Sequence, residues 1–249
     1  MVTIDASDGG RWTSLRLAGR EWLWAGPGLV DGPRTGHTIF TDAGGLDECF
    51  PTVRGEPDHG GLWNQPWSDS VAYDNTVLSR RFSTEADSVM VDYHLTAPPG
   101  FEFIWAAHAL LDCAVGATIS AHPRECRLYP EAAADAPWVA AAWPALGLDT
   151  YGESDGTAIG AVLVDCPSAT VRDRGSELTT TLSCPGQPVS TALWRNLGGF
   201  PVEAPYRSLG VEPMLGRVFD LGEAGPGDAA VVPASGELAW RLTLTARPV

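Results

Sequence analysis

Three segments of the chain carry side chains able to bind sugars or move protons. The first runs Gly44-Gly-Leu-Asp-Glu-Cys-Phe-Pro-Thr-Val53, continues through Pro57-Asp-His-Gly-Gly-Leu-Trp63 and reaches Pro66-Trp67. It gathers acids, His59 and two tryptophans. Aromatic faces beside hydrogen-bonding groups suit a pyranose, which offers apolar C–H faces and a polar rim. The same residues read equally as two core tryptophans, Trp63 and Trp67, with His59 capping a turn. The second segment, residues 101–111, is an almost continuous apolar run with His108 inside it. An imidazole there is either a satisfied core histidine or a proton-transfer group whose pKa a single charged neighbour can set. The third, Tyr206-Arg-Ser-Leu-Gly-Val-Glu-Pro-Met-Leu-Gly216, holds Glu212 ahead of Pro213. That acid is either a solvated strand end or a carboxylate aimed across a sheet face.

The elements that must position these groups read as strands. Residues 11–17 and 21–24 flank Ala18-Gly-Arg20, a hairpin pattern. In 89–95, Val89, Val91, Tyr93 and Leu95 alternate with Met90, Asp92 and His94, and Leu238, Trp240, Leu242 and Leu244 share one face of 238–245. Further strands are expected at 114–120, 159–164, 178–184, 191–194 and 206–211. Residues 130–142, alanine-rich but broken by Pro137, read as a loop or a short helix. Strands without intervening helices imply antiparallel sheets in a sandwich or barrel. With no internal repeat or linker, residues 1–249 are expected to form a single domain. Two stretches break the strand rhythm, 42–67 and 136–155, and long loops on a β scaffold are where sites usually lie.

Composition narrows the function classes. The 249 residues carry a formal net charge of −15, and no Lys/Arg stripe offers itself to a phosphate backbone. Nucleic acid is thereby excluded as an expected partner, and a neutral sugar is favoured over a phosphorylated one. Five widely spaced cysteines without a CxxC pair imply neither a disulfide framework nor a zinc site. No basic leader followed by an apolar run opens the sequence, and no apolar stretch reaches the ~20 residues of a membrane span. A cytoplasmic protein, monomeric or homodimeric, with no membrane partner is expected.

In their order these motifs resemble the aldose 1-epimerase (galactose mutarotase-like) family. The resemblance rests on the Leu-Asp-Glu-Cys-Phe-Pro-Thr segment, the His-Gly loop ending in Trp, the strand with an embedded His, and Trp143-Pro144. It continues through the Trp194-Arg-Asn-Leu-Gly-Gly199 stretch, the Glu-Pro strand, and Gly236-Glu237 leading into Trp240-Arg-Leu242. It covers roughly residues 40–245 and implies an all-β antiparallel supersandwich, an isomerase activity and a small carbohydrate substrate. By the same resemblance His108 falls on the catalytic acid, Glu212 on the catalytic base, and His59 on a residue holding substrate near the ring oxygen. Arg54 and Asp149 are the nearest candidates for the family's substrate-binding Arg and Asp. Trp63, Trp67 and Trp194 would supply stacking surface.

Interconverting anomers means opening a cyclic hemiacetal and closing it on the other face. One group takes the anomeric hydroxyl proton while another protonates the ring oxygen, each contributing on the order of 10²–10⁴-fold. No metal or redox cofactor is required, and no phosphate-cradling glycine loop or metal-ligand spacing is visible. The expected charges are an ionised Glu212 and a protonated His108. Two other readings stay open: a non-catalytic carbohydrate-binding protein on the same scaffold, and an epimerase, isomerase or lyase using the same pair on another metabolite.

Overall fold

Alternation of apolar and polar residues becomes, in three dimensions, two large antiparallel sheets closed on a shared core, with a further two-stranded pairing of Glu102–Phe103 and Ala230–Val231. The computed structural model describes residues 1–27, 43–63, 65–131 and 137–249. The larger sheet follows the order Val2–Asp5, Arg11–Leu17, Leu46–Cys49, Trp105–Ala109, Tyr206–Leu215, Val189–Phe200, Ala158–Val164, Glu125–Tyr129, Val139–Ala141, with Arg20–Glu21 hairpinned onto Arg11–Leu17. The second sheet runs Thr118–Ala121, Ser168–Asp173, Ser176–Ser183, Glu237–Pro248, Ser88–Thr96, Thr76–Glu85, Ser70–Tyr73. Every ladder within these two sheets is antiparallel. A short 3-10 turn at Leu221–Glu223, capped by the Asp220 side chain, is the single helical element among the described residues.

The expected all-β antiparallel architecture is the one found. Val89, Val91, Tyr93 and Leu95 are buried while His94 is exposed, and Trp240, Leu242 and Leu244 are buried opposite an exposed Arg241. Between the sheets Trp12, Trp105, Tyr93, Phe50, Phe103 and Trp240 form the centre of the core. Tyr93 and Trp240 stack there with ring centroids 5.4 Å apart. Within that core Glu48 accepts from Arg80 Nη1 at 2.6 Å and from the Tyr93 hydroxyl at 2.9 Å, an ion pair joining the two sheets.

Several elements differ from expectation. Residues 46–49, placed inside a loop by their Gly- and Pro-rich surroundings, form a central strand buried along its length. Residues 101–111 split at Ile104 into Glu102–Phe103 and Trp105–Ala109. The strand bearing Glu212 does not stop there but continues to Leu215, so Glu212 is a mid-strand residue. Of the segment 130–142, residues 132–136 lie outside the described residues, and its far end is the strand Val139–Ala141 rather than a helix. Among the described residues no helix is long and apolar enough to cross a membrane.

Candidate functional site

One face of the larger sheet packs on the core; the other carries the chemistry. Register fixes which residues share that outer face. Asp47 pairs with His108 across Leu46–Cys49 and Trp105–Ala109. Met214 pairs with Ala106, and Leu110 bridges Gly210, so the register between these contacts sets His108 opposite Glu212. Glu212 in turn pairs with Ala192, which pairs with Val162. Because side chains alternate, Asp47, His108 and Glu212 stand in one cross-strand row on the same face. Pro213 lies where the ladder to Trp105–Ala109 opens, between Met214 and Gly210.

The two central side chains approach closely. His108 Nε2 lies 3.7 Å from Glu212 Oε1, beyond a hydrogen bond but within reach of a shared small molecule. The Glu212 side chain is 3% exposed, whereas the His108 side chain keeps 17% of its surface open. The carboxylate folds back over Gly210, where any β-carbon would overlap Glu212 Oε1 and stand 3.0 Å from Trp194 Cβ. Glycine leaves room there for the carboxylate in this rotamer, so its role is one of close approach and not of backbone angles.

Burial decides the charges of the pair. It pushes the Glu212 carboxyl up to about 8. Burial and the neighbouring His59 hold the His108 imidazole down to about 3, against the opposing pull of Asp47 and Asp58. The expected distribution, an ionised Glu212 with a protonated His108, is therefore reversed: near neutral pH the one proton rests on the carboxyl and the imidazole is neutral. Desolvation is the largest cause of both shifts, since burial penalises the charged form of each group.

His59 reaches the pair from the loop after Leu46–Cys49. Its ring centroid is 5.0 Å from that of His108, nearly perpendicular, and its Nδ1 lies 3.3 Å from an Asp58 carboxylate oxygen. The loop is held by the His59 N–H donating to the Val53 carbonyl at 2.9 Å and the Gly61 N–H donating to Phe50 at 2.8 Å. His59 itself has φ 60°, a conformation that histidine tolerates better than branched residues. Trp194, one row away, donates from Nε1 to Ser208 Oγ at 3.1 Å and meets Phe200 edge-on at 6.0 Å.

The remaining expected site residues lie elsewhere. Trp67 belongs to the core: its indole donates to the Gly9 carbonyl at 2.6 Å and lies under the Arg80 guanidinium at 3.8 Å. Trp63, 4% exposed, packs its backbone against the turn at Gly9, so neither ring is an open stacking surface. Arg54 Nη2 lies 3.5 Å from Glu223 and its guanidinium 5.1 Å over Tyr129, three strands beyond that of Glu212. Asp149 is near enough to favour the charge of Arg195, a residue that leaves its strand on the side opposite to Ala192 and hence to Glu212. Arg195 donates there to the Leu146 and Gly147 carbonyls. Asp47 and Gly210 went unnoticed in the sequence. The period-2 pattern of Leu-Asp-Glu-Cys would have placed Asp47 opposite the core-facing Glu48. Among the described residues no group of three His, Cys, Asp or Glu side chains is arranged to hold a metal ion.

No protein-family model matches the chain. No curated protein matches it by sequence. Solved structures do match in shape. A candidate aldose 1-epimerase of Escherichia coli K12 superposes with a TM-score of 0.73 at 14% identity, covering 100% of this chain and 96% of that one. A candidate mutarotase of Salmonella typhimurium gives 0.63 at 16% identity, covering 100% and 87%. A galactose mutarotase-like protein of Lactobacillus casei gives 0.55 at 13%, covering 99% and 96%. At these identities the likeness establishes a shared galactose mutarotase-like fold, with function left to the site.

Proposed function

We propose that this chain is an aldose 1-epimerase-like isomerase that interconverts sugar anomers, with His108 and Glu212 as an acid–base pair sharing one proton. The observation that carries the reading is the 3.7 Å separation of His108 Nε2 and Glu212 Oε1 on one sheet face. In a cyclic hemiacetal the anomeric hydroxyl and the ring oxygen are bonded to the same carbon. Two proton-transfer atoms this close can each hydrogen-bond one of those oxygens from the same side. The names of the structural neighbours point the same way.

The roles implied by family resemblance make His108 the acid and Glu212 the base. The buried pair starts from the opposite distribution, with Glu212 carrying the proton and a neutral His108 ready to accept one. Anomerisation tolerates either start, because ring opening and ring closure exchange the roles of acid and base. His59 stands where it can hold an oxygen of the substrate, and Trp194 borders the pair as an apolar edge.

The test is exchange NMR or polarimetry on a panel of free aldoses. Anomer interconversion should be accelerated by the protein and lost in both His108→Asn and Glu212→Gln, with circular dichroism unchanged. Near-wild-type rates in both variants would remove the pair from the mechanism. The rate should fall above about pH 8, as the shared proton is lost from Glu212.

A second reading is favoured by the same charge pattern. A neutral imidazole beside a protonated carboxyl also suits proton removal next to a carbonyl, the carboxyl donating to the developing oxyanion. Deuterium entering a substrate carbon from heavy water would identify that reaction; anomer exchange without it supports the first.

A further inference from the structure

Asp47 lies outside the chemistry assigned so far, yet its strand position pairs it with His108 from the side opposite to the strand of Glu212. It pairs directly with His108 across the Leu46–Cys49 and Trp105–Ala109 strands, shares the outer face with it, and is 7% exposed. The next residue, Glu48, turns the other way into the Arg80–Tyr93 cluster of the core. One dipeptide thus sends one acid to each face, and only Asp47 reaches the acid–base row.

We propose that Asp47 is a positioning residue that stabilises the positive charge His108 acquires on accepting the substrate proton. The groups facing His108 are Asp47 on one neighbouring strand, Glu212 on the other, and His59 with Asp58 on the covering loop. Glu212 enters protonated and becomes negative only as it gives its proton away. His59 opposes charge on His108, while Asp47 and Asp58 favour it. Asp58 acts from the loop, beside the His59 ring. Asp47 stands in the sheet and needs no loop rearrangement to act, which is the preorganised placement that lowers a barrier. The role in turnover rests on the proposed acid–base reaction; the electrostatic link between the two side chains does not.

The test therefore has two readouts. In steady-state anomer exchange, Asp47→Asn should lower kcat roughly tenfold or more with KM little changed, and Asp47→Glu should recover most of the loss. Independently of any substrate, the His108 imidazole is titrated by NMR in a His59→Asn background, where removal of the opposing ring raises its midpoint. Adding Asp47→Asn should lower that midpoint, and Asp47→Glu should leave it near its starting value. An unmoved midpoint in folded Asp47→Asn protein overturns the proposal whatever the activity. A raised KM with unchanged kcat and midpoint also overturns it, making Asp47 a substrate ligand. Should the wild type accelerate no aldose, the anomerase reading fails while a shifted midpoint still upholds the Asp47–His108 link. If Asp47→Asn does not fold, Asp47→Ser carries the same titration.

Discussion

Glu212 and His108 illustrate how much a residue's chemistry depends on what surrounds it. A carboxyl that ordinarily titrates near 4.5 is carried to about 8 by desolvation, while an imidazole that ordinarily titrates near 6.5 is carried to about 3. Both shifts have consequences for stability. Between the unfolded and folded values of Glu212 the native protein keeps a proton that the unfolded chain has released, so its stability falls as pH rises through that window. Between the two values of His108 the unfolded chain binds a proton that the native state refuses, so stability falls as pH drops from 6.5 towards about 3. Glu212→Gln removes the first effect alone. Its melting temperature relative to wild type should therefore improve between about pH 4 and about pH 9. A difference that stays flat across that range would mean Glu212 titrates as an ordinary acid.

At the scale of elements, strand alternation does the sorting. In Leu46–Cys49 the even positions face the core and the odd positions face the site, so Asp47 and Glu48 have unrelated roles although they are neighbours in sequence. In Tyr206–Leu215 the same alternation presents Glu212 with Gly210 two residues before it, and the missing side chain leaves the space that the carboxylate occupies. Gly210→Ala should displace that carboxylate. We expect kcat to fall about a hundredfold from misplacement of the reacting group. The accompanying stability loss should be about 1–3 kcal/mol, typical of overpacking. Kinetics with chemical denaturation would separate the two, and an active Gly210→Ala protein would show that Glu212 functions in another rotamer. Sequence reasoning reached the strands whose alternation was uninterrupted, such as those around Val91 and Leu242. It passed over Leu46–Cys49 because four residues between glycines and prolines give too short a pattern to distinguish strand from loop.

Across the whole molecule, the site depends on the two sheets being locked to each other beneath it. Glu48 on one sheet and Arg80 and Tyr93 on the other supply a buried polar bridge, with Arg80 also donating to the Ser68 and Gly10 carbonyls at 2.8 and 2.6 Å. Removing one partner strands the other charge in the core. Arg80→Met should cost about 3–5 kcal/mol in urea unfolding, and adding Glu48→Gln should restore part of it. Additive losses in the double variant would show that the two side chains do not depend on each other.

By itself the sequence determined the class of fold and the principal chemical groups. Alternating apolar residues dictate half-buried strands wherever they occur, and His108, Glu212 and His59 were recognisable as polar residues set in unusual company. Which strands adjoin is a matter of tertiary pairing, and only that pairing brought residues 108 and 212 to 3.7 Å and added Asp47 to their row. It also withdrew Trp67 into the core, engaged Arg54 with Glu223, and set Asp149 within electrostatic reach of Arg195. The protonation state was likewise a tertiary outcome, because a pKa responds to the solvent a group has lost, and that loss exists only once the chain has closed around it.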